Sequence, residues 1–194
     1  MCGRFYIEPD SPTLADILTR AQGWRYGDLP LKTSGDVYPT DIVAAQTGTG
    51  EYAPMKWGFT SFGKSIIFNA RSETAGNKPM FRDAMRARRC LIPASGYYEW
   101  RRDGKQKIKY RFYIPDDIMY LAGCWRRESD ADPDAPPRFV ILTRAATPQL
   151  AEIHDRMPVI IPREYAEDWL GGESPTLAGD RVVCRISEGH PPRV

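Results

Sequence analysis

Four side chains far apart in the chain are suited to chemistry: Cys2, Asn69, Glu99 and His154. Cys2 stands out by position. If Met1 is removed, Cys2 carries a free α-amine and a thiol on adjacent carbons, a 1,2-aminothiol found only at an N-terminal cysteine. The amine titrates near ~7.7–8.0 and the thiol near ~8.5, so both nucleophiles are accessible around neutral pH. Such a pair condenses with an aldehyde: the amine forms a Schiff base, the thiol adds, and a thiazolidine closes. Taken alone, an early cysteine is more often a buried or frayed structural thiol, and Cys2 by itself does not establish this chemistry. Glu99 sits between Tyr98 and Trp100 in a strand expected to be buried, where a carboxylate must be paired or functional. A strand-face ion pair with an arginine is the plain alternative. Asn69 follows the apolar run Ile66-Ile67-Phe68, where it or Ser72 could instead cap a helix. His154 is one of two histidines and could simply cap a helix C-terminus.

These residues need a scaffold. Residues 3–8 read as a first strand, which would seat Cys2 inside the fold. Ser11-Pro12 opens an amphipathic helix through Leu14, Ile17, Leu18 and Ala21, ending near Gly23. Residues 24–36 read as a loop. Strands are expected over 42–46 and 51–59, joined by Gly48-Thr49-Gly50, and over 66–68. A basic helix spans 79–89. Strands then follow around Cys90–Pro93 and Tyr97–Trp100, where Tyr97 and Glu99 share a face. Asp103-Gly104 is a hairpin turn signal. In the next strand Ile108, Tyr110, Phe112 and Ile114 point inward, and Lys107, Lys109 and Arg111 outward. Further strands are read at 119–125, 138–144, 159–161 and 181–186. Helices open at Thr147 or Pro148 and at Pro162, the latter stopped by Gly171-Gly172. Residues 128–137 read as an acidic loop, and 189–192 as a loose tail holding a bystander His190. The pattern predicts an α+β fold on a mixed, mainly antiparallel sheet, in one domain over 1–194.

Composition narrows the functional classes. The 194 residues are 42% hydrophobic and 27% charged, ordinary for a globular protein. A net charge of +2 says little about nucleic acid, but the stretch 82–111 holds ten Lys/Arg and three acids. That stretch is a solvated sheet face or a phosphate-tracking surface. None of the four cysteines forms a C-x-x-C pair, so no zinc site or other cofactor is expected. Cys90, Cys124 and Cys184 lie in apolar strands and read as core. Wide cysteine spacing and the lack of a signal peptide point to the cytoplasm, and no apolar run reaches membrane-spanning length.

Ordered motifs add to this. Met1-Cys2-Gly3-Arg4-Phe5, Trp57-Gly58-Phe59, Asn69-Ala70-Arg71-Ser72-Glu73-Thr74, Gly96-Tyr97-Tyr98-Glu99-Trp100 and Ile153-His154-Asp155-Arg156-Met157-Pro158 occur in sequence. The set resembles the SOS-response-associated peptidase (SRAP) family, the abasic-site shield proteins, over nearly the full chain. The resemblance implies a bifurcated sheet with a small closed barrel, flanked by helices. It implies loss of Met1 and covalent capture, through Cys2, of the abasic-site aldehyde in single-stranded DNA, with abasic-site lyase chemistry as a side activity. By the same resemblance Asn69 positions the cysteine and sugar, Glu99 moves protons at the amine, and His154 helps open the deoxyribose. Arg4, Pro39, Arg71, Met80 and Arg156 fall on the DNA path, Pro39 as a wedge. Arg4 is also expected to lower the Cys2 thiol pKa. The chain departs from the family after Trp57-Gly58, where Phe62 replaces the usual stacking residue, and at Val37-Tyr38-Pro39-Thr40. A monomer, nucleoid-associated when bound to DNA, is expected. The rival classes are an N-terminal-nucleophile amidohydrolase and a non-covalent single-strand-binding module.

Overall fold

The computed structural model describes residues 2–22, 31–61, 65–128, 135–175 and 177–187. Met1, Gly23, residues 24–30 of the expected loop, Phe62, residues 129–134 of the acidic stretch and the His190 tail lie outside them.

Among the described residues, fifteen strands carry the fold. In chain order they are β1 (Phe5–Ile7), β2 (Gly35–Val37), β3 (Ile42–Gly48), β4 (Glu51–Trp57), β5 (Phe59–Thr60), β6 (Ile66–Ile67), β7 (Asn69–Arg71) and β8 (Arg89–Ala94). After them come β9 (Gly96–Asp103), β10 (Gln106–Tyr113), β11 (Met119–Arg126), β12 (Arg138–Ala145), β13 (Arg156–Pro158), β14 (Ile160–Ile161) and β15 (Val183–Ile186). The helices are α1 (Pro12–Gln22), α2 (Ser72–Ala75), α3 (Pro79–Ala87), α4 (Pro148–Ala151) and α5 (Ala166–Gly171).

One sheet runs β15-β10-β9-β1-β2. A second runs β13-β12-β4-β3-β8-β11-β14, with β7 added on β12 and β12 paired back to β11. Strands β12, β4, β3, β8 and β11 therefore close a five-membered ring. Closure removes free edges that would otherwise present unpaired backbone groups. Among the described strand pairs, β12–β4 and β12–β7 alone are parallel, and Leu31 makes a single parallel bridge to Ile42. The mixed, mainly antiparallel α+β architecture agrees with the alternation in the sequence. On β10, Tyr110 and Phe112 are buried, as is Ile114 just beyond it, while Ile108 is half-buried.

Local readings differ in informative ways. The segment read as loop contains β2, which pairs with β1 through Phe5–Val37. Gly35-Asp36-Val37 is too short to show a period, and its partner strand alone makes it extended. The strand read over 51–59 breaks at Gly58, whose φ is +107°. A Cβ there would lie 2.3 Å from the Ile66 side chain, so only glycine lets the chain turn from β4 to β5. The helix read from Pro162 begins as a 3-10 turn over Arg163–Tyr165 before α5. Cys90 and Cys124 are core residues, but Cys184 is only half-buried because β15 is an edge strand.

An aromatic cluster joins the two sheets. Trp57 is fully buried and packs on Phe5, Phe68 and Phe139, with ring centroids 5.1, 5.9 and 6.3 Å away. Its indole Nε1 donates to the Phe68 carbonyl at 2.9 Å. Phe5 lies three residues after Cys2 and Phe68 one before Asn69. Trp57 is thus a strut between the segments that carry two candidate site residues.

Candidate active site

Cys2 precedes β1 and is fully buried. Main-chain pairing holds this segment in place: the Tyr98 N–H donates to the Arg4 carbonyl at 2.9 Å, continuing the β1–β9 ladder towards Cys2. Across 67 residues of chain, Asn69 Nδ2 donates to the Cys2 carbonyl at 2.8 Å. Asn69 is the first residue of β7, and its register against Ile141 of β12 fixes where its amide points. Neither Asn69 nor Ser72 caps α2; Arg71 occupies the N-cap position with no side-chain cap bond. The Asn69 Oδ1 atom is buried and lacks a hydrogen-bond partner among the described residues.

Glu99 and His154 come together from β9 and from the turn after α4. Glu99 is 4% exposed, and its Oε2 lies 3.9 Å from His154 Nε2. That separation exceeds a direct hydrogen bond. His154 lies beyond the end of α4, whose C-cap is Glu152, so it does not cap that helix. Its Nδ1 accepts the Arg156 N–H at 3.0 Å, which assigns the neutral ring's proton to Nε2, on the Glu99 side. Asp155 Oδ1 also lies 3.0 Å from Nδ1.

The electrostatics of the centre follow from burial. Desolvation pushes the Cys2 thiol far above its ordinary range, and the Glu99 charge pushes it further. Arg4 does oppose this shift, but only through its backbone, and burial outweighs it. Arg4 meets the thiol only through its main chain, Cys2 Sγ lying 3.9 Å from its carbonyl oxygen. Its guanidinium lies over the Tyr38 and Trp100 rings, at 4.5 and 5.0 Å, and pairs with Asp36 at 3.5 Å. Strand alternation explains this: residues two apart share a face, but Cys2 precedes the regular strand. Tyr97 lies in the core at 1% exposure, and its phenol is raised first by burial, then by Cys2 and Glu99.

Burial also raises the Glu99 carboxyl above its ordinary value, with His154 opposing. A raised carboxyl pKa means the folded state prefers the neutral form. Stability is therefore lost as pH climbs through and above the ordinary carboxylate value of about 4.3. Glu99→Gln is expected to melt above wild type at neutral pH and to match it under acid, read by thermal denaturation across pH. A variant that melts lower at neutral pH would show that the ionised carboxylate is a net stabiliser.

Beside Asn69 opens a groove of about 980 Å³ whose lining includes Arg71, Met80, Lys78 and Phe81. Arg126 bridges its walls, donating to the Thr60 carbonyl at 3.0 Å and the Met80 carbonyl at 3.4 Å. Arg71 is exposed here. Pro39 is half-buried in the turn after β2, where the Asp41 N–H donates to the Tyr38 carbonyl at 3.0 Å. The next residue, Thr40, has φ +83°, a left-handed conformation rare for a β-branched side chain.

Arg156 is committed to a carboxylate. Its Nη1 and Nη2 donate to Glu73 at 2.7 and 2.8 Å, and Nη2 also reaches the Thr143 carbonyl at 2.6 Å. The Arg156 hydrogen bonds hold the Glu73 carboxyl down at about 2. A depressed carboxyl pKa contributes stability above the ordinary value of 4.5 that is lost as pH falls towards 2. The Glu73 side chain is half exposed, so the screened contribution is about 1 kcal/mol. The melting difference between wild type and Glu73→Gln is expected to shrink as pH falls from the ordinary carboxylate range towards 2. A difference constant across that range would show that the ion pair contributes nothing.

Trp57 and Glu73 were visible in the sequence only as members of motifs. Their work as strut and clamp depends on contacts across 11 and 83 residues. Among the described residues no group of three or more His, Cys, Asp or Glu could hold a metal ion. No described helix is long and apolar enough to cross a membrane.

The five-strand ring and the Asn69 amide on the Cys2 carbonyl give a mixed α+β fold with a buried cysteine near its start. The chain belongs to the SOS response associated peptidase (SRAP) family, whose match spans residues 1–186. It is 36% identical over 182 residues to the abasic site processing protein YobE of Bacillus subtilis, covering 88% of this chain and 82% of that one. Against the abasic site processing protein YedK of Escherichia coli it is 29% identical, covering 89% and 81%. A crystal structure of a protein from Bordetella bronchiseptica shares the fold, with a TM-score of 0.75 at 25% identity, covering 96% of this chain and all of that one.

Proposed function

We propose that this protein processes abasic sites by capturing them covalently in single-stranded DNA through Cys2, after removal of Met1. The hydrogen bond from Asn69 Nδ2 to the Cys2 carbonyl, beside the Glu99–His154 pair, is the observation that carries this reading. It gathers a nucleophile, a positioning amide, a proton acceptor and a proton donor in one place.

Chemistry at this centre runs in a defined order. Abasic deoxyribose is mostly a closed hemiacetal. His154 in its protonated form donates from Nε2, on the Glu99 side, to the ring oxygen while the C1 hydroxyl gives its proton to water, so the ring opens to a C4 hydroxyl and the free aldehyde. Glu99 accepts a proton from the Cys2 α-ammonium, whose amine attacks the carbonyl. Loss of water leaves a Schiff base. Burial keeps the thiol protonated, so it acts second: sulfur adds to the imine carbon, its proton passes to nitrogen, and the thiazolidine closes. One water is released overall. If elimination at the sugar outruns ring closure, the same Schiff base incises the strand, which is the lyase route. Asn69 holds the cysteine main chain throughout. The groove beside it is wide enough for unpaired nucleotides, with Arg71 and Lys78 offered to phosphates and Met80 to bases and sugars. Arg156, Arg4 and Pro39, which do not line the groove, are proposed as further contacts of the strand outside it, Arg156 from within its Glu73 pair.

The test is a denaturing gel of Met1-free protein with a single-stranded oligonucleotide bearing one abasic site. A shifted band that needs the abasic site and disappears behind an uncleaved N-terminal tag is expected. No band from wild type would overturn the reading, and multiple turnover of an amide substrate would favour the amidohydrolase class instead. Asn69→Ala is expected to slow band formation without changing its yield at long times. An unchanged rate would remove Asn69 from the site.

A further inference from the structure

The five-stranded sheet has a second face that the proposed chemistry does not use. Register places Tyr97 and Glu99 of β9 inward and Tyr98 and Trp100 outward. Their partners on β10 make Lys109 and Arg111 outward-facing too, and β1 adds Arg4 and Tyr6. On this face cations and rings alternate in contact. Arg185 of β15 lies 5.8 Å from the Tyr113 ring, and Arg111 lies 5.6 Å from Tyr113 and 4.4 Å from Tyr6. Lys109 Nζ sits 3.6 Å above Tyr98. Arg4, over Trp100 and Tyr38, ends the series.

That series crosses every strand of the sheet, from β15 to the end of β2. Four inter-strand spacings make it about 19 Å wide, room for several unpaired nucleotides. Its Arg4–Trp100 end is joined by chain to the active centre: Arg4 is two residues from Cys2, and Trp100 follows Glu99. The carboxylates on this face are Glu8, paired to Arg111, and Asp36, shared by Arg4 and Lys109. Lys107 of β10 and Arg185 of β15 add exposed positive charge on the β15 side of the sheet. An ordinary solvated sheet face would mix charges without rings beneath them. Here each guanidinium lies against aromatic rings: Arg4 against Tyr38 and Trp100 and paired to Asp36, Arg111 against Tyr6 and Tyr113 and bonded to Glu8, which leaves the exposed Lys107 and Arg185 as the cations offered to phosphates.

We infer that the outer face of the β15-β10-β9-β1-β2 sheet is a track for single-stranded nucleic acid, carrying the strand that flanks the captured site. The inference rests on the proposed abasic-site function but reaches beyond its groove. It commits to a polynucleotide rather than an acidic protein because cations and stacking planes alternate at strand spacing.

Two abasic oligonucleotides test it, one with a few flanking nucleotides and one with long single-stranded flanks. Wild type is expected to crosslink the long one faster at low salt, with an advantage that fades as salt rises. The exposed pair Lys107→Glu and Arg185→Glu is expected to abolish that advantage while leaving the rate on the short oligonucleotide unchanged. The slope of log rate against log salt is expected to flatten by about 0.7 per lost phosphate contact. An unchanged advantage and slope in the double variant would overturn the inference, as would equal wild-type rates on the two lengths. Fluorescence anisotropy with long undamaged single-stranded DNA reads the surface without any capture. If no adduct forms at all, the covalent reading fails, and weaker binding by the double variant alone still upholds the track. Equal binding by both proteins in that assay defeats it.

Discussion

Cys2→Ala, with Met1 removed, is expected to form no denaturant-stable adduct with abasic single-stranded DNA. Alanine keeps the α-amine, so a Schiff base can still form, but nothing closes the ring and the imine hydrolyses. Cys2→Ser separates the two steps. Its hydroxyl is a poorer nucleophile than a thiol, so its adduct is expected only when borohydride reduces the imine. The buried site of Cys2 sharpens the expectation. No side chain in the centre is set to ionise the thiol: burial and Glu99 both keep it neutral. Sulfur therefore contributes after the amine, as a neutral thiol adding to an activated imine. A stable Cys2→Ala band as strong as the wild-type band would transfer the covalent bond to another residue and remove the basis of the mechanism.

Trp57→Ala is expected to have the largest effect on stability. Truncating a fully buried tryptophan costs about 3–5 kcal/mol, most of it from the cavity left behind. The Phe68 carbonyl is not orphaned, because the Ile141 N–H also donates to it at 3.1 Å. Trp57→Phe therefore isolates the strut. It keeps aromatic contact with Phe5 and Phe139 but loses the indole N–H, a net cost of about 1 kcal/mol for the hydrogen bond before any cavity term. Loosening Phe68 frees Asn69 next to it, so the Phe variant is expected to capture abasic DNA more slowly as well. Urea unfolding midpoints and single-turnover crosslinking rates provide the two measurements. If Trp57→Phe equals wild type in both, the strut does not position the site.

Much of the fold is legible in the residue pattern alone. The alternation on β10 predicts its buried face because sheet periodicity is local. The hairpin turn at Asp103-Gly104 is legible because Gly104 must take φ +59°. Cys90 and Cys124 read as core and are core. Weak signals come from segments whose structure is imposed from outside. Strand β2 is three residues held by β1, and Gly58 ends β4 only because Ile66 packs against it. Cys184 shares an apolar strand pattern with the other two, but at a sheet edge half of that pattern faces solvent.

By itself the sequence determined which chemical groups exist and in what order: a thiol at position 2, an amide, a carboxylate and an imidazole, each at the end or face of an element. Side-chain type and local period are properties of neighbouring residues, so they survive without a fold. Only the tertiary structure decided what these groups meet. It put Asn69 on the Cys2 carbonyl, turned Arg4 away from the thiol onto Tyr38 and Trp100, and tied Arg156 to Glu73. The reason is physical. Burial and charge pairing join residues tens of positions apart, and no pattern along the chain records which cation will find which carboxylate.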